Sequence, residues 1–253
     1  MLTTSWAYLD APLPLAFAHR GVHLNAPENT SLSFAAALEL GYRYIETDVR
    51  CTADGEIVMY HDARPSFVTK RRAQISDLAL SDLRSAAAAA GEGDLPLLSD
   101  TLKDFPELRF NIDVKDRRSA ELVLEIVQQT AAHDRVCIAS FSAARIRRVR
   151  SHMARALCTG AAVTEVIRFL VNPSHYAKVP QPAVLQLPLS MNGIRVVTPR
   201  LVDKAHEVGL PVHVWTLNDV LDIRAAIDLE VDGIMTDEPI LLKDELLRRN
   251  LWR

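Results

Sequence analysis

Three carboxylates lie where two strands would bring them together. Glu46 and Asp48 are two residues apart in a β-branched run at 44–48, and Asp113 lies in a similar run at 109–115. Because side chains alternate across a strand, Glu46 and Asp48 share one face, and the mainly apolar residues between them suit packing against helices. We therefore expect the three carboxylates to point into one shared interior.

Such a cluster needs compensating charge, because buried ionised carboxylates repel one another and lose hydration. Glu46, Asp48 and Asp113 would form an all-oxygen site, which suits a hard divalent cation, Mg²⁺ or Ca²⁺, with Mn²⁺ as a further candidate. The alternative is a buried network in which these acids pair with Lys115 and nearby arginines. Carboxylates recurring near the ends of two strands favour the metal site.

Two histidines lie at positions comparable to those of the carboxylates. His19 ends a predicted strand over Leu15–His19, and His61 follows the second arm of a predicted hairpin. Imidazole titrates near neutrality, so two histidines beside carboxylates can supply the base and the acid that phosphodiester hydrolysis requires. The other six histidines lack such a setting, and His213 is expected to pack in the core.

Cationic and aromatic side chains complete the candidate site. Arg20 can hold phosphate oxygens through bidentate hydrogen bonds, and Lys115 can do so as a point charge. By strand alternation Trp215 faces the same interior, where it is either a core residue or an apolar wall for the carbon skeleton of a substrate.

The elements that carry these residues alternate short β-branched runs with longer helical ones, which indicates βα units around a parallel sheet. The length of 253 residues is typical of one α/β (β/α)8 TIM barrel, so we predict a single domain over 1–253. Asp54-Gly55 predicts a small hairpin excursion after strand two. Ser81 and Ser99 are predicted helix caps, and Pro199 and Pro239 are predicted first helical residues. The eight predicted strands are 15–19, 44–48, 109–115, 136–141, 156–159, 184–187, 212–216 and 233–236.

Composition narrows the class of protein. The net charge is −3, which provides no general attraction to nucleic acid or anionic membranes. Three scattered cysteines without a CxxC pair disfavour a disulfide framework or a zinc site. No apolar run reaches the roughly 18 residues of a spanning helix, and no secretory leader is evident. We expect a cytoplasmic protein.

Eight ordered motifs resemble those of the glycerophosphodiester phosphodiesterase family. They extend over residues 16 to 240, so that the resemblance covers nearly the whole chain. The first of them, His19-Arg20-Gly21, is weak by itself, but the order and spacing of the set are specific. The motifs are HRG at 19–21, PENT at 27–30, ETDV at 46–49, TADG at 52–55 with HD at 61–62, NIDVK at 111–115, SF at 140–141, WTLN at 215–218 and DGIMTD at 232–237.

The resemblance implies a TIM barrel that uses a divalent cation, usually Mg²⁺ or Ca²⁺, to hydrolyse a glycerophosphodiester to sn-glycerol 3-phosphate and an alcohol. It implies metal ligation by the three carboxylates, acid–base roles for His19 and His61, and phosphate contacts from Arg20 and Lys115. Glu28 would support Arg20 or the metal shell. Which histidine begins as the base, and whether water or the glycerol hydroxyl is the nucleophile, stay open.

Two departures from the family pattern bear on metal and substrate. The third ligand is commonly Glu in the family, whereas Asp113 is one methylene shorter. The segment 63–72 also differs from the family, and it is expected to border the leaving group. Two other functions are therefore considered: a lysophospholipase D acting on lipid-chain substrates, and an inactive barrel that serves as a binding protein.

Overall fold

The computed structural model describes residues 6–24, 26–68, 73–153, 155–178 and 182–253. Its strands are β1 (Leu15–His19), β2 (Tyr44–Cys51), β3 (Ile57–Met59), β4 (Arg109–Val114), β5 (Val136–Ala139), β6 (Cys158–Thr159), β7 (Leu185–Pro188), β8 (Ser190–Met191), β9 (Ile194–Arg195), β10 (Val212–Trp215) and β11 (Gly233–Thr236). Eight parallel strands form the central sheet, in the order β6-β5-β4-β2-β1-β11-β10-β7. A parallel bridge between Gly160 and Val184 joins the two end strands, so the sheet closes into the predicted (β/α)8 barrel.

Helices connect successive barrel strands, and two of them lie in the long connection between Cys51 and Arg109, beyond the hairpin. Pro199 and Pro239 stand at the first position of their helices, as predicted. None of the helices within the described ranges is long and apolar enough to cross a membrane. The helices are α1 (Ser31–Glu39), α2 (Leu80–Ala89), α3 (Leu98–Asp104), α4 (Ser119–Gln129), α5 (Ala143–His152), α6 (Val163–Val171), α7 (Pro199–Glu207), α8 (Val220–Asp228) and α9 (Pro239–Arg248).

Two apolar layers lie on the two sides of the barrel wall. The outer layer packs the sheet against the helices and includes Ile45, Phe110 and Ile112. The inner layer fills the floor of the barrel and includes Phe17 and Tyr44. Tyr44 shares its strand face with Glu46 and Asp48, so strand alternation assigned the two faces of β2 correctly.

His213 belongs to the barrel interior rather than to the site. It is fully buried, its ring centroid lies 5.1 Å from that of Phe17, and neither ring nitrogen has a hydrogen-bond partner. Burial lowers the pKa of His213 to about 3. The expectation that this histidine packs in the core is confirmed.

Two predicted helix caps are wrong. Helix α2 begins at Leu80, whose N–H donates to the Asp54 carboxylate at 3.1 Å, so a residue distant in sequence replaces Ser81 as the cap. Helix α3 begins at Leu98 because Leu97 still bridges Val58 of β3, which leaves Ser99 inside the helix. Long-range contacts therefore set both starts.

The predicted excursion after the second strand is present. Strand β2 continues to Cys51 and pairs antiparallel with β3, with Val49 opposite Met59. A second hairpin, β8–β9, was not predicted. Its turn residues Asn192 and Gly193 have φ of 51° and 77°, the positive values that an Asn-Gly hairpin turn requires.

Candidate active site

The candidate side chains gather at the carboxyl ends of four neighbouring strands, β11, β1, β2 and β4. His19 ends β1, Glu46 and Asp48 lie in β2 opposite Asn111 and Asp113 of β4, and Lys115 directly follows β4. Chemistry in TIM barrels is located at this end, because loops from several strands meet there. The structure thus brings five of the candidate side chains, from His19 to Lys115, to one end of the barrel.

The loop after β1 is shaped by a sharp turn at Arg20 and Gly21, whose φ values are 59° and 88°. A Cβ at Gly21 would stand 2.4 Å from the Ser33 hydroxyl oxygen, so only glycine fits. Ser33 in turn donates to the Arg20 carbonyl at 3.1 Å. This packing directs the Arg20 side chain toward the carboxylates.

Asp48 lies at the centre of a buried ion-pair network. Arg20 Nε lies 2.9 Å from Asp48 Oδ2, and Lys115 Nζ lies 2.7 Å from both Asp48 Oδ1 and Asp113 Oδ2. Although burial opposes it, the charges of Lys115 and Arg20 lower the pKa of Asp48. The same carboxylates raise the pKa of Lys115 against the effect of its burial. The alternative that the sequence left open, an ion-pair network, therefore accounts for Asp48.

Glu46 and Asp113 are not fully compensated by that network. Within the described ranges Glu46 Oε2 and Asp113 Oδ1 are buried and make no hydrogen bond, although Glu46 Oε2 lies 3.3 Å from the His19 ring. Burial, followed by the charge of Asp48, raises the pKa of Glu46 to about 8, and burial also raises that of Asp113. Buried carboxylate oxygens without donors are expected to take a cation, so the donor set fits a hard divalent ion.

The carboxylates are not already arranged around an ion. Within the described ranges, no three His, Cys, Asp or Glu side chains are gathered as a metal site requires. Lys115 lies between Asp48 and Asp113 instead. A divalent cation at this place would therefore compete with the Lys115 ammonium for the same oxygens.

Each of the two histidines is braced by a carboxylate through Nδ1. His19 Nδ1 lies 2.5 Å from Asp237 Oδ1, and His61 Nδ1 lies 2.8 Å from Asp62 Oδ1. A proton held on Nδ1 by the carboxylate leaves Nε2 as the proton acceptor on the site side. His19 Nε2 lies 3.3 Å from Glu46 Oε2. Although burial opposes it, Glu46 and Asp237 raise the pKa of His19.

The residues proposed to contact substrate border this charged cluster. Glu28 binds the Arg20 Nη1 through both carboxylate oxygens, at 2.9 and 3.0 Å, and so supports Arg20. Trp215 ends β10 and packs edge-on against Phe141, with ring centroids 5.5 Å apart. In the unusual segment 63–72, Phe67 packs edge-on against Tyr60, and residues 69–72 lie outside the described part.

Asp237 and Asn218 are site residues to which sequence reasoning gave no role. Asn218 Nδ2 donates to Asp237 Oδ2 at 2.7 Å, and its Oδ1 accepts from the Asp237 N–H at 2.9 Å. Although burial opposes it, the hydrogen bond from His19 lowers the pKa of Asp237 to about 2. Their position in the sequence could have indicated a role in the site, because both residues follow the carboxyl ends of barrel strands.

Comparison with known proteins identifies the family. Residues 19–241 match the family described as the glycerophosphoryl diester phosphodiesterase family. A protein of Mycobacterium tuberculosis, named a probable glycerophosphodiester phosphodiesterase 2, is 35% identical over 94% of this chain and 92% of its own length. The chain belongs to this family. It is an enzyme of the glycerophosphodiester phosphodiesterase class.

Solved structures show the same fold. A crystal structure from Silicibacter pomeroyi superposes with a TM-score of 0.82 at 23% identity, over 98% of this chain and 100% of the other. A phosphodiesterase from Oleispira antarctica, solved with the product sn-glycerol-3-phosphate, gives a TM-score of 0.73 at 19% identity, over 92% and 96% of the two chains. The likeness extends over the whole barrel.

Proposed function

We propose that the protein hydrolyses a glycerophosphodiester to sn-glycerol 3-phosphate and an alcohol, with a divalent cation and with His19 and His61 as the acid–base pair. One observation carries the proposal. Two buried carboxylate oxygens that make no hydrogen bond within the described ranges, on Glu46 and Asp113, lie beside an imidazole held by a carboxylate, and the first of them has only the His19 ring at 3.3 Å. A cluster that only stabilised the fold would be expected to satisfy these oxygens.

Glu46, Asp48 and Asp113 would hold the cation, and their oxygen donors suit Mg²⁺, Ca²⁺ or Mn²⁺. When bound, the cation supplies positive charge that stabilises the phosphoryl oxygens in the transition state. Asp113 needs its free Oδ1 for this role, because its Oδ2 accepts from Lys115.

Arg20 and Lys115 would hold the phosphate. Both are already oriented by carboxylates, Arg20 by Glu28 and Asp48, and Lys115 by Asp48 and Asp113. A positioned cation stabilises the charge that gathers on phosphoryl oxygens without reorganising during the reaction. Glu28 acts here by fixing the Arg20 guanidinium.

The two histidines would transfer protons on opposite sides of the phosphorus. The carboxylates of Asp237 and Asp62 keep each Nδ1 proton in place, so Nε2 of His19 and of His61 can exchange a proton with substrate. One imidazole would accept the proton of the nucleophile, and the other would donate a proton to the leaving alkoxide. The nucleophile is either water or the glycerol hydroxyl of the substrate, and in the second case water then opens the cyclic phosphate that forms. Trp215 would contact the carbon skeleton of the substrate.

A substrate and metal panel tests the proposal. Glycerophosphocholine is incubated with the protein after EDTA treatment and after addition of Mg²⁺, Ca²⁺ or Mn²⁺ in turn, and sn-glycerol 3-phosphate is measured. We expect release with at least one cation and none with EDTA. Lysophosphatidylcholine in the same assay distinguishes a lysophospholipase D. An inactive binding barrel would release product from neither substrate with any cation.

A further inference from the structure

Apolar side chains stand exposed at the starts of the outer helices. Leu32, Val163, Leu221 and Ile240 are each the first or second residue of α1, α6, α8 and α9, and their exposed fractions lie between 46% and 69%. Helix N-termini favour acidic residues, because the backbone N–H groups there carry partial positive charge. The stability of the helices therefore does not explain why apolar residues stand at these four positions.

The β8–β9 hairpin adds to this set at the same end of the barrel. Met191 and Ile194 are cross-strand partners, so their side chains share one face of the hairpin, and they are 59% and 71% exposed. Phe141 follows β5, is 57% exposed, and contacts Trp215 of the candidate site. We call these seven residues the apolar rim.

The position of the apolar rim relates it to the active site. Each member follows the carboxyl end of a barrel strand, where His19, Glu46 and Asp113 also lie. Exposed apolar residues gathered on one surface of a protein indicate a surface for interaction. By the topology of the barrel, the apolar rim lies at the same end as the entrance through which substrate must pass.

The electrostatics of the entrance suit phosphate groups. The first turns of α1, α5 and α7 contain no acidic residue, so their N-terminal partial charges are not cancelled there. By contrast, Glu238 is the N-cap residue of α9, and Glu165 of the α6 first turn pairs with Arg150. Asp222 of the α8 first turn faces Arg195, with 3.8 Å between Oδ1 and Nη1. Arg147 and Arg200 are exposed and make no ion pair among the described residues.

We propose that the apolar rim docks on the surface of a phospholipid bilayer, with the barrel entrance facing the lipid headgroups. Apolar side chains would enter the boundary between headgroups and acyl chains, and the exposed arginines and helix N-termini would face the lipid phosphates. A second copy of this chain fits the rim less well, because it offers no phosphate groups to Arg147, Arg200 and the helix N-termini without acidic residues. This proposal goes beyond the proposed function, since docking needs no turnover.

Vesicle flotation with the full chain tests docking directly. The vesicles are made of phosphatidylcholine alone or of phosphatidylcholine mixed with phosphatidylglycerol. The test variant is the double substitution Met191→Asp with Ile194→Asp, in a hairpin whose strands are exposed. The matched control is Val171→Asp with Leu247→Asp, which changes two exposed apolar residues at the carboxyl ends of α6 and α9, away from the entrance.

We expect the wild type to float with the mixed vesicles, the rim variant to bind about tenfold more weakly, and the control to bind within about twofold of wild type. The proposal is overturned if the wild type stays in the aqueous fraction, or if rim and control variants lose binding equally. It is also overturned if gel filtration shows a dimer for the wild type and a monomer for the rim variant, while neither protein binds vesicles.

Turnover of glycerophosphocholine, a soluble diester, separates this proposal from the proposed function. Both double variants should retain kcat/KM within about twofold of the wild-type value, because none of the four substituted residues belongs to the charged cluster. Turnover without vesicle binding refutes docking alone. Vesicle binding without turnover supports docking and refutes the proposed function alone.

Discussion

The His19 imidazole is held by the Asp237 carboxylate across the seam between the first and last barrel strands, with 2.5 Å between Nδ1 and Oδ1. The two residues are 218 positions apart in the chain, and the β1–β11 pairing brings them together. Asn218 fixes the second oxygen of Asp237. The orientation of a proposed catalytic base or acid thus depends on closure of the barrel.

Asp237→Asn is predicted to lower the pKa of His19. The carboxylate raises that pKa by its hydrogen bond and its charge, so its loss should move the corresponding limb of the pH–rate profile to lower pH, by about one unit. The profile of kcat/KM against pH checks this. Asp222→Asn, a change at an exposed surface pair, is the control and should leave the profile in place. An unmoved profile in Asp237→Asn would exclude coupling of the two groups.

Asp113→Asn is predicted to weaken cation binding, because it removes the charge of a carboxylate whose Oδ1 is buried and has no donor. We expect the cation concentration for half-maximal activity to rise roughly 10- to 100-fold, and titration calorimetry should show the same loss without turnover. Asp113→Glu, the residue more common at this place in the family, should retain binding. The exposed Asp100→Asn is the control. Equal affinities in wild type and Asp113→Asn would remove Asp113 from the ligand set.

Gly21→Ala is predicted to destabilise the protein and displace Arg20. The new Cβ would overlap Ser33 in addition to the strain of the positive φ of 88°. Gly209→Ala is a matched control, with φ of 76° and no atom within 4 Å of the built Cβ. We expect Gly21→Ala to lose about 1–3 kcal/mol more free energy of unfolding than Gly209→Ala. Urea unfolding of both variants measures the difference, and equal losses would mean that Ser33 moves aside freely.

His213 is predicted to make the fold acid-sensitive. Its pKa in the folded state is about 3, below the ordinary 6.5, so the unfolded chain binds the proton more strongly between these values. The contribution of His213 to the free energy of unfolding is fully present above pH 6.5 and is lost as the pH falls toward 3. At a pH of about 5 the loss should be roughly 2 kcal/mol.

Unfolding in urea at neutral pH and at the acidic pH checks this. His213→Leu should lose less free energy of unfolding than the wild type between the two conditions, because it has no proton to gain. The exposed His152→Gln should behave like the wild type. If His213→Leu shows the same acid loss as the wild type, the buried imidazole is not its source.

Local rules were sufficient where the deciding contact is local. Strand side chains alternate with a period of two residues, so Glu46, Asp48 and Asp113 are predicted to face the interior whether or not the sheet closes into a barrel. Gly and Pro signals likewise marked the β2–β3 hairpin and the first turns of α7 and α9. The Asn192-Gly193 pair is a comparable local signal for the β8–β9 hairpin.

Contacts between distant residues could not be predicted in the same way. Asp54 caps α2 from 26 positions away, so the serine next to the helix start, Ser81, does not indicate the cap. The bracing of His19 by Asp237 depends on the register of strands at opposite ends of the chain. The place of Lys115 between two carboxylates depends on side-chain packing in three dimensions.

The most direct test of the proposed chemistry is kcat for glycerophosphodiester hydrolysis by His19→Ala, measured at saturating substrate and cation. A proton-transferring imidazole contributes to the transition state rather than to ground-state binding, so we predict kcat at least about 100-fold below wild type with KM nearly unchanged. A kcat within a few fold of wild type would contradict the assignment of His19.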